Sequence, residues 1–417
     1  MTIIGLHYAP ESSGNAPYTT RLAERLVAGG HNVQVLTGYP HYPEWKLAEG
    51  YKGWTRREDI NGVAVKRLRH FIPSRVTTLS RLHMELSFGF RLFTSSWGRP
   101  DVVVVVSPAL FSSAFALLRR YAGVSRPGIG LWMQDLYSRG LEETGGGSSL
   151  ASRMVKRLEG ALARSATKTT VIHQRFADYL CSNLNVPADD VSVIRNWSHV
   201  EQSGDVDTES VRARFGWSEN DLVVLHAGNM GIKQALQNVV AAARLAESRG
   251  SRVRFVLLGD GNQRPFLEEL AQSCRNVQFI SPLSDRDFMP VLMAADILLV
   301  NEMEGLREMS VPSKLTSYFR TGRPIIAATE ADSATAGEIS DSGGGIVVNP
   351  GDPAELLVTA ERLGIDKDLG LALGRAGRKF ADHMLAESAA IVQYENWLQT
   401  IAAANDAKRK IRSKTSS

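Results

Sequence analysis

Short, continuous runs of aliphatic residues recur along the chain, and they constrain the fold more than any other feature. In the run at 102–106, five consecutive valines leave no polar face. A strand of this kind is buried on both sides, as in a parallel sheet covered by helices. Amphipathic helical segments separate such runs over residues 2–194 and again over 222–363. The alternation predicts an α/β fold of two Rossmann-like, doubly wound parallel-sheet domains that face a cleft.

The length of the chain, 417 residues, also favours two domains, because single hydrophobic cores stop growing well below that size. The polar segment at 198–208 is the predicted linker, which gives domains at 1–199 and 200–365. The helical residues 366–405 can return to the first domain, although the sequence alone does not decide this. Residues 406–417 are basic and are predicted to form a disordered tail.

Composition is that of an ordinary globular enzyme, with 43% hydrophobic and 22% charged residues. Two cysteines without a CxxC motif or a Cys/His cluster argue against structural disulfides and thiolate metal sites, and for a reducing cytosol. The amino terminus has neither the basic region nor the apolar core of a secretory signal. The most apolar run, 101–118, is interrupted by Ser107-Pro108 and is therefore not read as a membrane span. We expect a cytoplasmic protein.

Charge is divided unevenly between the two halves. Residues 1–199 carry 24 Lys and Arg against 15 Asp and Glu, whereas residues 200–417 carry 24 against 29. The basic half is expected to meet an anionic membrane surface or a lipid-linked phosphate, and the alternative is an incidental imbalance. The helix predicted at 77–96, with Arg81 and Arg91 among apolar residues, can rest on a membrane or pack into the core. No nucleic-acid partner is expected.

Two turns in the second half have the pattern of a phosphate site. The first follows the predicted strand 222–226, contains Gly228 and leads into a predicted helix at 234–248 beside Lys233. Unpaired N–H groups at a helix start suit a phosphate, and the lysine adds positive charge. The second lies within VPSKLTSYFRTGRPIIA at 311–327. Together they predict a nucleotide-diphosphate site.

A comparable loop joins the first predicted strand to the first helix. It contains Glu11, Ser12, Ser13, Gly14 and Asn15. A glycine before a helix start lets backbone approach a ligand and favours an anion there. An ordinary strand-to-helix turn is the alternative.

Taken in order, these segments resemble a known family. YAPESSGNAPYTTRLAERLVAGGHNVQVLTGYPHYPEWK, IRNWSHV, HAGNMGIKQAL, LLGDG and VPSKLTSYFRTGRPIIA are similar to the retaining family 4 glycosyltransferases, especially their colanic-acid and O-antigen branch. The resemblance covers about residues 2–350. It implies a GT-B fold, with a nucleotide-sugar donor in the second domain and an acceptor in the first. It also implies transfer without a metal or a resident cofactor, the nucleotide sugar being a co-substrate.

The resemblance assigns roles on the donor side. Lys233 is expected to hold the donor diphosphate, with backbone of Gly228 and Asn229 beside it and Gly14 approaching from the first domain. Residues 281–283, with Pro282 and Leu283, are expected to hold the nucleobase through backbone groups. Gly259 and Gly261 are expected to shape a turn. The arginine common near Asn229 in the family is missing.

One departure from the family pattern concerns two glutamates spaced E-x7-E. Their places are taken by Met309 and Ser317. The second glutamate normally binds the ribose hydroxyls, for which Ser317 offers a single hydroxyl. Glu308 can substitute for the first glutamate, and Ser313 and Lys314 can compensate with a hydroxyl, an N–H group and a positive charge.

On the acceptor side, Asp135 ends a predicted strand and can either orient sugar hydroxyls or cap the next helix. Glu11, Asn15, His41 and Glu44 are the expected acceptor contacts, and solvated loop residues are the alternative. We count Lys233, Asp135 and Gly14 as candidate catalytic residues.

The predicted function is retaining transfer of a sugar from a nucleoside diphosphate, UDP by family habit, to a glycan or polyprenyl-linked acceptor. Catalysis of this transfer would depend on electrostatic stabilisation of the leaving diphosphate. Two alternatives stay open: a nucleotide-sugar 2-epimerase, and a non-catalytic partner of an active transferase. NAD-dependent oxidoreduction is disfavoured, because neither domain has GxGxxG opening a helix.

Overall fold

The computed structural model describes residues 1–11, 14–75, 77–107, 109–122, 126–141, 150–197, 206–306 and 314–415. The chain divides into two compact units. The first contains Met1–Asn196 and Ser388–Ser417, and the second contains Trp197–Glu387.

The first unit is built on an eight-stranded sheet. Its strands are β1 (Thr2–Ile4), β2 (Gln34–Gly38), β3 (Thr55–Ile60), β4 (Val63–Leu68), β5 (Val102–Ser107), β6 (Gly128–Met133), β7 (Lys168–Val171) and β8 (Val191–Val193). Their order is β3-β4-β2-β1-β5-β6-β7-β8, and all neighbours are parallel except β3 and β4. All six residues of β5 are buried, as the valine run predicts.

The antiparallel edge strand β3 is not among the predicted strands. A tight turn at Asn61 and Gly62, both with positive φ (52° and 81°), joins it to β4. Two left-handed residues in succession match the twist of a two-residue hairpin, and Asn-Gly is the preferred pair for it.

Helices on both sides of the sheet connect its strands. They are α1 (Ala16–Ala28), α2 (Thr78–Thr94), α3 (Leu110–Ala122), α4 (Tyr137–Leu141), α5 (Leu150–Ser165) and α6 (Gln174–Leu184). One face of α2 is buried through Met84, Phe88 and Leu92, and Gly89 lies against Phe115 of α3. The predicted packing of this helix into the core is confirmed for that face.

The second unit alternates strands and helices almost without interruption. Its elements are α7 (Thr208–Phe215), β9 (Leu222–Ala227), α8 (Gln237–Ser248), β10 (Val253–Leu258), α9 (Arg264–Leu270), β11 (Val277–Ile280), α10 (Asp285–Ala294), β12 (Ile297–Asn301), α11 (Lys314–Thr321), β13 (Ile325–Ala328), α12 (Ala334–Ser342), β14 (Gly345–Val348), α13 (Pro353–Ile365) and α14 (Lys367–Met384). The six strands are all parallel, in the order β11-β10-β9-β12-β13-β14.

Both faces of this second sheet are covered. Along β9, Leu222 and Val224 enter one apolar core, while Val223 and Leu225 enter the other. Successive side chains of a strand point to opposite faces, so a strand between two helical layers is apolar throughout. The predicted class, two Rossmann-like parallel-sheet domains, is confirmed for each unit.

The last helix, α15 (Glu387–Thr415), belongs to the first unit. A Cβ at Gly130 of β6 would overlap Trp397, and one at Gly128 would lie 2.7 Å from Ile401. The Tyr394 ring also packs on Trp132, with ring centroids 4.9 Å apart. Two glycines therefore let a helix from the end of the chain lie directly on β6.

The observed units differ from the predicted boundaries in detail. The division falls at Asn196 and Trp197, and α14 stays with the second unit, so only α15 joins the first. A disordered tail is predicted from residue 406, whereas α15 continues to Thr415. None of the helices in the described part of the chain combines the length and apolar composition that a membrane span requires.

In each sheet the strand order reverses at one point, between β1 and β5 in the first unit and between β9 and β12 in the second. Helices leave in opposite directions on the two sides of such a point, which opens a crevice at the carboxyl ends of the strands. Ligand sites are therefore expected after these four strands.

Candidate functional sites

In the second unit, two glycine turns lie against each other at the carboxyl ends of β9 and β10. Gly228 has φ +130°, and its N–H donates to Leu258 O at 2.9 Å. Gly259 has φ +138°, and a Cβ there would overlap the Gly228 carbonyl oxygen. A Cβ at Gly261 would lie only 2.5 Å from Met230 O. The prediction that Gly259 and Gly261 shape a turn is confirmed.

This packing engages part of the backbone donors of the turn. Besides the Gly228 N–H, the Met230 N–H donates to Asp260 O at 2.8 Å, and the Gly231 N–H donates to Gln234 Oε1 at 3.1 Å. The predicted helix start is wrong. Residues Ile232–Gln234, including Lys233, form a 3₁₀ turn, and α8 begins only at Gln237. Side-chain charge adds to what the turn offers an anion.

Such a charge comes from Lys314, the first residue of α11. Its Nζ lies 3.2 Å from Nε2 of His226, and 3.5 Å from where a Cβ of Gly228 would be. Burial lowers the pKa of Lys314 to about 8, although the Glu302 carboxylate acts in the opposite direction. Burial, reinforced by Lys314, lowers the pKa of His226 well below its usual value. A neutral, buried imidazole therefore accepts from the ammonium group of the half-buried Lys314 beside the turn.

The end of β12 faces the same turn, as a switch point requires. Asn301 Nδ2 donates to Gln234 O at 2.9 Å, and the Met303 N–H donates to Lys233 O at 2.9 Å. Between them, the buried Glu302 accepts from the hydroxyls of Thr329 and Thr335. These contacts fix the 3₁₀ turn that carries Lys233, whose side chain is half-buried.

The remaining predicted donor residues are dispersed. Ser317 is buried one turn into α11, Asn229 is exposed beside Gly228, and Pro282 and Leu283 follow β11, the proline exposed and the leucine half-buried. Glu308, Met309 and Ser313 lie outside the described residues.

In the first unit, the loop after β1 holds a buried carboxylate. Glu11 Oε1 accepts the N–H groups of His41 (2.8 Å) and Tyr42 (2.9 Å), and Oε2 lies 2.7 Å from Nδ1 of His7. Nδ1 of His41 lies 2.9 Å from Tyr39 O and 3.5 Å from Glu11 Oε1. The loop after β1 is thus tied to the loop after β2.

These contacts set the protonation of the cluster. Burial raises the pKa of Glu11, but the hydrogen bonds from His7, His41 and Tyr42 outweigh it, and the pKa is lower than usual. Burial, and then the charge of His7, lowers the pKa of His41. Burial also brings the pKa of His70, whose ring lies 4.9 Å from that of His41, to about 3. The carboxylate is therefore charged, and His41 and His70 are neutral.

The alternative of loop solvation is wrong for Glu11 and His41, which are both buried, and Glu44 is exposed. Sequence reasoning missed His7, the partly exposed member of the cluster (18% of its side chain). The i, i+4 spacing of His7 and Glu11 directly after a strand was the available signal.

Gly14 and Asn15 also lie where they were expected, between β1 and α1. Gly14 has φ +65°, a left-handed conformation that glycine adopts without strain. Asn15 Nδ2 donates to the carbonyl of Ser107, the last residue of β5, at 3.4 Å. Asn15 therefore joins the two strands that flank the switch point of the first sheet.

Asp135 follows β6 and is half-buried. At the start of α4, the carboxylate of Glu159 of α5 accepts the N–H groups of Tyr137 (2.7 Å) and Ser138 (3.3 Å). Asn196, from the predicted NW segment, donates to the neighbouring Gln134 at 2.8 Å.

Two Rossmann-like units, each with polar and charged side chains at the switch point of its sheet, are the architecture of the GT-B class of proteins. Comparison with known families agrees. Residues 13–197 match the "Glycosyl transferase 4-like domain", and residues 221–366 match "Glycosyl transferases group 1". The chain belongs to this family of GT-B glycosyltransferases.

Among curated proteins, the putative colanic acid biosynthesis glycosyl transferase WcaI of Escherichia coli is 30% identical over 79% of this chain and 83% of its own length. An α-D-kanosaminyltransferase of Streptomyces kanamyceticus is 27% identical over 52% of this chain and 56% of its own length. The resemblance to the colanic-acid branch is confirmed.

Solved structures share the fold at low identity. Sucrose-phosphate synthase of Thermosynechococcus elongatus has a TM-score of 0.73 at 16% identity, covering 97% of this chain and 99% of its own. HepE of Anabaena, solved in complex with UDP-glucose, has a TM-score of 0.69 at 14% identity, covering 96% and 100%. These likenesses establish the GT-B fold.

Proposed function

We propose that this glycosyltransferase moves a sugar, with retention of anomeric configuration and without a metal, from a UDP-sugar to a glycan or polyprenyl-diphosphate-linked acceptor. The donor occupies the second unit and the acceptor the first. A role in cell-surface polysaccharide synthesis rests on the similarity to WcaI. The observation that carries the donor assignment is the ammonium group of Lys314 beside Gly228.

The donor site places positive charge beside the diphosphate, where negative charge develops during the reaction. Lys233 and Lys314 flank the turn at Gly228, and Lys314 takes over the contact of the arginine that the family has near Asn229. As the bond from C1 of the sugar to the diphosphate breaks, its electron pair passes to the phosphate oxygen, and fixed cations stabilise that oxygen. The acceptor oxygen bonds to C1 on the same face, and its proton passes to the leaving phosphate.

In the buried cluster after β1 of the first unit, His7 is the partly exposed residue, and we assign contact with the acceptor to it. Because Glu11 is charged, it keeps a proton on Nδ1 of His7, and Nε2 is then the acceptor for a sugar hydroxyl. Glu11 and His41 position this ring and act through it. Asp135 is retained as a second hydroxyl acceptor after β6.

The proposal also includes contact of helix α2 with an anionic membrane. The face of α2 opposite its buried residues exposes Leu79, Leu86 and Phe90 at helical spacing. The exposed Trp54 continues the apolar surface next to Arg91. An apolar stripe with a basic residue at its border is typical of interfacial helices.

The test of the donor assignment is calorimetric titration with UDP, GDP and ADP without added metal. We expect UDP to bind and Lys233→Ala to weaken it by about 10–100-fold, the usual cost of losing a charge-assisted hydrogen bond. Lys379→Ala, an exposed lysine of the same unit, is the control. Equal affinity in Lys233→Ala would remove that residue from the site.

The same titration separates the competing functions. Binding of none of the three nucleotides would favour a non-catalytic partner, since Met309 and Ser317 replace the family glutamates. Conversion of a UDP-sugar into its 2-epimer without any acceptor would favour the epimerase. Transfer that gives the opposite anomer, read by NMR of the product, would contradict retention.

A further inference from the structure

The buried cluster after β1 contains a set of side chains that suits a metal ion. One ligand atom each of His7, Glu11 and His41 lies within 4.8 Å of the others. Two of the three residues are buried, so the group differs from the exposed acidic clusters that are common on protein surfaces. We propose that His7, Glu11 and His41 bind a Zn²⁺ ion that clamps the loop after β1 to the loop after β2.

The donor set selects the ion. Two imidazole nitrogens and one carboxylate oxygen are the ligands of three-residue zinc sites, which leave a fourth position to water or another small ligand. Ca²⁺ and Mg²⁺ prefer oxygen ligands throughout. The redox-inert Zn²⁺ therefore fits this set, and Co²⁺ serves as its spectroscopic substitute.

The distances between the ligand atoms are close to those of a zinc site. Without the ion, hydrogen-bonding protons lie where it would bind. His7 Nδ1 and Glu11 Oε2 lie 2.7 Å apart, and two ligands of one Zn²⁺, each at about 2.0–2.2 Å from it, need only slightly more. Small side-chain rotations of the partly exposed His7 provide that space. With Nδ1 on the ion, the proton of His7 lies on Nε2, so in the zinc form Nε2 donates to an acceptor oxygen, whereas in the metal-free form it accepts from a sugar hydroxyl. On the other side, His41 Nδ1 is 3.5 Å from Glu11 Oε1, and it would exchange its hydrogen bond to Tyr39 O (2.9 Å) for the ion.

The surroundings already orient the ligands. The N–H groups of His41 and Tyr42 hold Glu11 Oε1, as outer-shell donors hold a ligating carboxylate. The clamp belongs to the first unit and the proposed donor site to the second. The ion is proposed to hold two loops together, and no part of the transfer step is assigned to it.

Two conservative variants test the site without dismantling the cluster. In His7→Gln, the amide still donates to Glu11 but is a poor zinc ligand. In Glu11→Gln, the side-chain oxygen still accepts from His41 and Tyr42, but the negative charge is gone. His31→Gln is the matched control, because His31 is an exposed histidine of the same unit that lies 3.8 Å from Glu395.

The full chain is stripped with EDTA, equilibrated with Zn²⁺, dialysed and analysed for zinc. We expect one equivalent in the wild type and in His31→Gln. We expect affinity in the two site variants to fall by more than the ~10–100-fold that loss of an outer-shell partner costs. Zn²⁺ should raise the thermal midpoint of the wild type and of His31→Gln but not that of the two site variants, and Co²⁺ should give the visible absorption of a four-coordinate site.

Failure of the wild type to retain zinc, or equal retention in His7→Gln, overturns the inference and leaves the cluster as a hydrogen-bonded clamp. Circular dichroism of the zinc-free variants shows whether they are folded. UDP titration is independent of this measurement, so failure of the zinc site and failure of the donor site are distinguishable.

Discussion

Nζ of the half-buried Lys314 lies 3.2 Å from Nε2 of the fully buried His226, beside Gly228. Because His226 is neutral, it accepts a hydrogen bond from the ammonium group without adding a like charge. The pair holds a cation of unusually low pKa in the proposed donor site.

UDP affinity should therefore fall as pH rises through about 8. The pKa of Lys314 is lowered to about 8, so the free protein loses this positive charge above that pH. Binding of an anion favours the charged form, so the complex takes up a proton near pH 8. Calorimetry in buffers of different ionisation enthalpy measures this uptake. Lys314→Met should bind more weakly and show no such pH dependence; the wild-type pH profile in that variant would refute the role.

Gly259→Ala should destabilise the second unit by at least about 3 kcal/mol, because the added Cβ meets Gly228 O and φ is +138°. Gly250→Ala is the control: its φ is +61°, and a Cβ there meets nothing within 4 Å. Backbone strain alone should lower the free energy of unfolding of Gly250→Ala by about 1 kcal/mol. Urea denaturation measures both, and similar losses would show that close approach of the two turns is unimportant.

Arg67 and Arg56 contact the same carboxylate, Glu58, but only Arg67 is buried. Arg67 also donates to the carbonyl oxygens of Ala9 and Gly38. Arg67→Met should cost about 3–5 kcal/mol of unfolding free energy, since it leaves these acceptors unpaired. Arg56→Met, which removes an exposed ion pair, should cost about 0–1 kcal/mol. Equal costs in denaturation experiments would contradict this difference.

The double variant Leu86→Ser/Phe90→Ser should weaken binding to phosphatidylglycerol-containing vesicles by about 100-fold, because each side chain contributes at least ~1.5 kcal/mol on burial. Vesicle co-sedimentation measures the affinity, which should also fall with salt. Leu371→Ser, an exposed leucine of the second unit, should bind like the wild type. Unchanged binding in the double variant would exclude this face of α2.

The sequence predicted the sheets well because their strands are apolar throughout, and β5 is the clearest case. It did not predict β3, although Asn61-Gly62 marks the hairpin, because the strand sequence TRREDI is polar and mostly exposed. Edge strands of this kind have no apolar run to reveal them.

The candidate sites were predictable where they depend on position after a strand, as with Gly14, Asn15 and Gly228. Partners separated by many residues were not. The pairing of His226 with Lys314 joins a strand interior to a helix start 88 residues away, and a histidine inside a buried strand looks like core. The backbone bonds that occupy Gly228 and Met230 likewise come from a neighbouring strand end, which no local pattern reveals.

The position of α15 on Gly128 and Gly130 bears on how the protein is made. During synthesis from the amino terminus, β6 leaves the ribosome long before Trp397 and Ile401 exist to cover it. The second unit is continuous and can fold in the meantime, whereas the first must wait with part of its sheet uncovered. The unit that is synthesised first is therefore the last to complete its fold. Loss of the final thirty residues would leave the sheet of the first unit partly uncovered, whereas the second unit would keep all its residues.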